Sequence, residues 1–424
     1  MQNKSDHGKT ENSELQRLFF HCLQTEWSSA TSKALAQLTL EQWQDLVTLA
    51  TQQQVAPLFY YHCKRHQHAL ALPPEMHTLL HTRYVYTAGR NVLLWQELCA
   101  ILNECHQHEI AVIVLKGAAL LSTVYPNKAL RQMADLDLLL PEAAIGTVVN
   151  VLQARGYQAK AQIGTEIPDH FTILHHLPPF IHPESNLCVE LHATVAPPNR
   201  FYSMDIAELW AAAQPLPITG GSALTLAPED LLLYTCMHAT YRHLFELGAR
   251  FLCDVDAIVR HYQAVLDWER LVARAKAWQW HNGVFLGLYL AQQLLATPIP
   301  PATLQALQPA AFQEQIVEES LRLIFDDPQA TAEVNGEFAQ KWTSLSWPAK
   351  IGKGLRMLLL SRRQMATYYP SDPNSLKIFL YYPVRMKDLV VSNLPRLRLL
   401  WRKEPAIADT IQRKSHLMRW LEKA

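Results

Sequence analysis

Residues 110–121, IAVIVLKGAALL, decide the fold. A β-branched apolar run of strand length, Ile110 to Leu115, is stopped by Lys116-Gly117 and passes directly into small, helix-tolerant residues. Strand, turn and helix start follow in immediate succession. Downstream, residues 130–140 read LRQMADLDLLL and could form one helix by themselves. Pro141-Glu142, however, opens a new apolar-periodic segment that runs to Arg155 and stops at Gly156, so a strand at about 134–140 fits better. Between Tyr157 and Val195, short alternating runs at Phe171–Leu174 and Leu187–Val195, separated by prolines, predict antiparallel strands and a hairpin.

Helical periodicity lies on both sides of this region. Leu15, Leu18, Phe19 and Cys22, then Leu40, Trp43, Leu46, Val47 and Ala50, recur at helical spacing, with Thr39 and Gln42 placed as a capping box. Pro73-Pro74-Glu75 opens another helix that runs on through Leu98. Beyond Pro197-Pro198, Ala227-Pro228-Glu229-Asp230 starts a long helix through Leu244, and a second helix carries Arg250, Asp254 and Ile258. The expected class is α+β, a small mixed β-sheet core embedded between helical N-terminal and C-terminal regions. The boundaries read as 1–13 disordered, 14–108 helical, 109–200 the α/β core, 201–365 helical, and 366–424 a basic, aromatic tail.

Composition excludes several classes. With 424 residues, 49% apolar and 18% charged, the chain is too long for one compact core and too apolar for disorder. Lys plus Arg and Asp plus Glu number 38 each, so no whole-chain field exists to hold a nucleic acid. Seven scattered cysteines without a C-x-x-C pair make neither a disulfide framework nor a zinc site. The first residues carry no secretory or transit pattern, and no run is long and apolar enough to span a membrane, so a cytoplasmic location is expected. In the tail, Lys377, Arg385, Lys387, Arg396, Arg398, Arg402 and Lys403 interleave with Tyr381, Tyr382 and Trp401. A solvated helix face is the main reading, and peripheral contact with a membrane surface or polyanion the minor one.

Three groups of residues could carry chemistry. Asp135 and Asp137, one residue apart in a strand, put two carboxylates on one face while Leu136 and Leu138 enter the core. Such crowding is unfavourable unless a cation neutralises it, and Mg²⁺ is the usual one; a solvated strand face is the plainer reading. In Leu187-Cys-Val-Glu190-Leu-His192, Glu190 and His192 share a face of a second strand, so a third carboxylate can join the pair, as two-metal phosphoryl chemistry requires; a rim glutamate beside a core histidine is the alternative. Lys116-Gly117 at a strand-to-helix junction could receive an anion, or could simply start a helix with a snorkelling lysine. Arg131 is either an ion-pair partner of Asp135 or a phosphate ligand. His170, His175, His176, His182 and His192 cluster without the spacing of a zinc helix. Ile351-Gly352-Lys353-Gly354 is no Walker loop, and no G-x-G-x-x-G, G-x-S-x-G or H-E-x-x-H occurs.

Val114-Leu-Lys-Gly-Ala-Ala-Leu120, Tyr125-Pro126, Leu130-Arg131-x-Met133-x-Asp135-Leu-Asp137-Leu-Leu and Glu190-Leu-His192, in this order and spacing, resemble the uncharacterised nucleotidyltransferase family of the DNA polymerase β-like superfamily. His238 and Arg250-x-x-x-Asp254-x-x-x-Ile258, followed by Asp267-Trp268, extend the resemblance, which covers roughly residues 35 to 300. The resemblance implies a small mixed sheet with Asp135, Asp137 and Glu190 as catalytic metal ligands for Mg²⁺ or Mn²⁺. It also implies an NTP donor whose nucleoside monophosphate passes to an unidentified acceptor. Where the wider superfamily has a Gly-Ser turn, this chain has Lys116-Gly117-Ala118, so Lys116 stands in for a missing hydroxyl. His238, Tyr241, Arg242, Arg250 and Asp254 would wall the cleft, with Arg250 or Arg242 on phosphate and His238 near the acceptor, although Arg250 and Asp254 read first as an ordinary i, i+4 ion pair. A non-catalytic nucleotide or metabolite binding module, or a helical interaction protein on a decayed core, is the rival reading; all three acids being present weighs against it.

Overall fold

The apolar run before Lys116 yields a strand of two buried residues, Ile113–Val114 (β1), in a computed structural model that describes residues 14–66, 72–160, 175–196, 204–218, 223–326, 360–369, 371–402 and 405–423. Six more strands complete one mixed sheet: Leu136–Leu139 (β2), Gln158–Ala159 (β3), Phe180–Ile181 (β4), Cys188–His192 (β5), Gln214–Leu216 (β6) and Ala223–Thr225 (β7). Their order is β3-β4-β5-β2-β1-β7-β6. β2 runs antiparallel to β1 and parallel to β5, and all four of its residues are buried, as expected for a strand covered on both faces. The predicted hairpin joins β4 to β5, with Asn186 at φ 51° taking the left-handed position of its turn. The run expected at Phe171–Leu174 lies outside the described residues.

The expected end of the α/β core at residue 200 leaves out β6 and β7. These strands of three residues are too short for alternation to register, and Pro215 is admissible because β6 lies at the sheet edge. The helices follow their sequence signals more closely. Thr39 and Gln42 form the reciprocal capping box of the helix Leu40–Gln52, and Pro74 opens a helix of 34 residues to Gln107. Helix Pro228–Met237 does not run on to Leu244: at His238–Arg242 it widens into a π-helical turn, a local distortion frequent at functional sites.

One apolar cluster extends from Phe19 through the sheet and the C-terminal helices to Leu421, so the regions delimited above share a core. The helix Pro405–Leu421 belongs to it, so the end of the basic, aromatic tail expected over 366–424 is docked on the core. Leu417 is fully buried, the Asn282 amide donates to the carbonyls of Trp420 at 3.2 Å and Leu421 at 3.3 Å, and the buried Lys414 ammonium pairs with Glu246. Its basic residues masked the apolar stripe that docks it. A second, small cluster of Met365, Ala366, Tyr369 and Ile378 stands apart from the main core.

Because Leu417 is buried and Leu380 is 72% exposed, the same truncation separates them. Leu417→Ala is expected to lower stability by about 2–5 kcal/mol and Leu380→Ala by less than ~0.5 kcal/mol in denaturant titrations. Equal costs would mean that the last helix is not docked.

Candidate active site

The site is built by strand register. In the parallel pair β2–β5, Asp137 lies opposite Glu190 and Leu139 opposite His192, so β2's single acid and two polar groups of β5 converge beside one another. Ligand atoms of Asp137, Glu190 and His192 lie within 4.8 Å of one another, the one such group among the described residues. Asp137 Oδ1 accepts hydrogen bonds from Lys116 Nζ at 2.6 Å and from His192 Nε2 at 2.9 Å. Glu190 Oε2 lies 3.9 Å from Lys116 Nζ and 3.6 Å from His192 Nε2. Asp135 precedes β2 and stays outside this tight group, although its carboxylate lines the same cavity as Glu190.

Charge explains the arrangement. Burial pushes the Asp137 carboxyl up, but Lys116 and His192 overcome it and hold the group well below the usual carboxylate range. Burial and then the neighbouring Asp137 push Asp135 up to about 6. Burial works against the Lys116 charge, but Asp137 more than offsets it, so the lysine stays protonated. Asp137 and Glu190 thus gather at one ammonium, with Asp135 on the same cavity. Carboxylate oxygens beside an imidazole are donors that suit a hard divalent cation, so the residues present fit the metal that the resemblance implies.

Lys116 and Gly117 differ in detail from the expected anion cradle. Lys116 opens the helix Lys116–Thr123 at φ 47°, a left-handed conformation uncommon for a residue with a side chain, and its ammonium turns to the acids. A Cβ on Gly117 would stand 2.5 Å from Arg131 Nη1 and 2.9 Å from Met133 Cγ. The missing side chain therefore makes room for Arg131, and close approach of a phosphate is not what requires it.

Arg131 pairs neither with Asp135 nor with a free cavity. Its Nε and Nη2 donate to the two Asp254 oxygens at 2.7 and 2.8 Å, and Tyr125 Oη donates to Asp254 Oδ1 at 2.8 Å. The expected Arg250–Asp254 ion pair is therefore not formed: Asp254 is taken from across the sheet, and Arg250 Nη1 donates to Gln54 Oε1 at 2.6 Å. Arg250 is lowered to about 10 by burial and by the nearby Arg131, against the attraction of Asp254 and Asp135. Sequence spacing gives neighbours on one helix and cannot show a stronger partner elsewhere.

A cavity of about 260 Å³ opens over the acids, walled by Lys116, Arg131, His175, His176, His238, Arg242, His243 and Arg250 among others. Burial lowers His238 and His243, whose Nε2 atoms stand 3.3 Å apart, so these rings are neutral and Lys116, Arg242 and Arg250 supply the positive wall. Tyr241 does not wall the cleft: Gly283 N–H donates to its hydroxyl in the helical core. Of the histidine cluster, His192 joins the acids and His175 and His176 line the cavity, while His182 stacks edge-on against Tyr157 and His170 lies outside the described residues. Asn91, which no motif announced, is fully buried and donates to the carbonyl of Arg131 at 2.8 Å and of Lys128 at 2.5 Å, fixing the loop that leads to Asp135.

The sequence pattern of a family described as "Uncharacterised nucleotidyltransferase" matches residues 39–296, more than half of the chain. The chain belongs to this family. The match takes in every strand of the sheet, every wall of the cavity and the helix Arg250–Tyr262 that carries Asp254. No curated protein matches the sequence.

The raised Asp135 has a thermodynamic consequence in the metal-free protein. Its folded pKa of about 6 exceeds the ordinary 3.8, so folding is penalised above pH 6, less so as pH falls, and not at all below about 4. Asp135→Asn is expected to raise stability by on the order of 1–3 kcal/mol at pH 7–8, with the gain vanishing near pH 4 in urea titrations. A gain independent of pH would contradict an Asp135 carboxyl raised by burial and by Asp137.

Proposed function

We propose that this protein is a divalent-metal-dependent nucleotidyltransferase that moves a nucleoside monophosphate from an NTP to a small-molecule, peptide or protein acceptor. The observation that carries the reading is the β2–β5 register, which sets Glu190 directly beside Asp137, with Asp135 on the same cavity. Asp135, Asp137 and Glu190 would hold Mg²⁺ or Mn²⁺. The ion, when bound, would supply charge stabilisation at the transferring phosphorus and lower the pKa of the attacking group. His192 orients Asp137 by its Nε2–H bond, and buried Leu136 and Leu138 hold the strand that presents the acid. Arg250 and Arg242, which line the cavity, would meet the triphosphate, together with Lys116 once released from the acids. In the transfer, an acceptor O–H or N–H attacks the α-phosphorus, the bond from that phosphorus to the bridging oxygen breaks, pyrophosphate leaves, and the acceptor's proton passes to a site carboxylate.

His238 lies on the wall where the acceptor would approach and, being neutral, can orient an acceptor but adds no charge to the phosphate grip. A polymerase-like hold on nucleic acid is not part of the proposal, because the chain as a whole is neutral.

The test offers α-labelled nucleoside triphosphates with Mg²⁺ or Mn²⁺ and fractionated cell extract as acceptor source. Transfer of label with stoichiometric pyrophosphate is expected, with Asp137→Ala or Glu190→Gln losing on the order of 10³-fold or more. Mn²⁺ should raise the melting temperature of the wild type and not that of Asp135→Ala plus Asp137→Ala. Absence of labelled product and of pyrophosphate, together with unchanged nucleotide affinity in the double variant, would leave a binding module on a transferase fold. Release of labelled nucleoside diphosphate without pyrophosphate would instead make it a phosphotransferase.

A further inference from the structure

A lysine already stands where the acids meet. Lys116 Nζ lies 2.6 Å from Asp137 Oδ1 and 3.9 Å from Glu190 Oε2, so one monovalent cation serves both carboxylates that the β2–β5 register brings together. The oxygen it holds is doubly engaged, because Asp137 Oδ1 also accepts from His192 Nε2 at 2.9 Å. Asp137 is 1% exposed, and two cations drawn to one buried carboxylate repel each other with little water to screen them. A divalent ion and the Lys116 ammonium are thus competitors for Asp137.

The lysine is built to be held there and also to leave. Lys116 opens its helix at φ 47°, a left-handed conformation that a residue with a side chain keeps only where surrounding contacts demand it, and here that conformation accompanies an ammonium set on the acids. Among the described residues, however, Lys116 Nζ makes a single hydrogen bond, to Asp137, and its flexible four-carbon stem has no second anchor. Lys116 lines the same cavity as Arg242 and Arg250, so a polyanion bound between those arginines and the acids offers the ammonium another partner. A group displaced by one ligand and engaged by the other couples the two: each ligand strengthens the binding of its companion, and by the same factor.

We propose that Lys116 is an internal counter-ion that keeps divalent metal off Asp137 and Glu190 until a triphosphate draws the ammonium away, so that metal and NTP load together. This rests on the metal-dependent reading above and concerns how that site is regulated. A neutral side chain at position 116 breaks the link, and the acids then take the metal without nucleotide.

Mn²⁺ titrations of the full chain, read from the electron paramagnetic resonance of the free ion, test this without turnover. Lys116→Met and Lys116→Gln are expected to bind Mn²⁺ alone on the order of tenfold more tightly than the wild type, whereas Lys116→Arg, which keeps the charge, stays as weak as the wild type. In calorimetry the wild type should bind the Mn²⁺–ATP complex on the order of tenfold or more tighter than Mn²⁺ alone, an advantage that Lys116→Met largely loses. A purely structural lysine predicts the opposite sign, since its removal would leave Asp137 underpaired and the site loosened. Equal or weaker Mn²⁺ binding by the folded neutral variants would overturn the proposal, and so would neutral variants that fail to fold and are not rescued by Mn²⁺. Tight binding by Lys116→Met that an added Asp137→Ala abolishes would uphold it even if no label were transferred. Detected transfer with Mn²⁺ affinity indifferent to residue 116 would sink this proposal and leave the transferase reading intact.

Discussion

A carboxylate buried in the middle of a sheet governs this structure. Asp137 sits in β2 between Leu136 and Leu138, all three without appreciable exposure, where an unpaired charge would cost several kcal/mol. The strand is tolerable there because Lys116 and His192 reach the same oxygen from two sides. That demand fixes where the β1-to-helix junction must turn, why Lys116 adopts a left-handed backbone, and which face of β5 points inward. A group that destabilises the fold unless it is partnered is costly to keep for stability alone, and such a group within reach of two further acids and a cationic wall is what phosphoryl transfer needs.

The cavity over these acids is assembled from pieces distant in sequence. Asn91, from the long helix Pro74–Gln107, ties down the loop before Asp135. Arg131, leaving that loop, forms a two-pronged bond with Asp254 of the helix Arg250–Tyr262, and Tyr125 completes the carboxylate's hydrogen bonding. This buried pair joins the sheet to the helical wall, and with Asp254 occupied Arg250 takes Gln54 as its hydrogen-bond partner among the described residues. A cation set against a neutral amide at the cavity edge keeps its capacity for an incoming anion, whereas one bonded to a carboxylate would not.

Several particular elements show how far local pattern carries. The capping box at Thr39 was legible because both of its partners lie within one turn of helix. The meeting of Asp137 with Glu190 was legible because alternation in a strand assigns faces, and the family because motif order resembled one whose match spans residues 39–296. β6 and β7 escaped because three residues carry no period, and the docked helix Pro405–Leu421 escaped because its lysines and arginines obscured the stripe beneath. The contacts of Gly117, Asp254 and Arg250 escaped for one common reason: each has its decisive neighbour more than a turn of chain away.

By itself, then, the sequence determined the α+β class and the strand-turn-helix at Lys116-Gly117, since these follow from periodicity and turn chemistry within short windows. Tertiary structure alone decided which acid is buried and which is raised, which arginine is bonded and which faces the cavity, and that the last helix closes the core. Those outcomes depend on burial and on distances between charges, and both arise only when strands distant in the chain come into register.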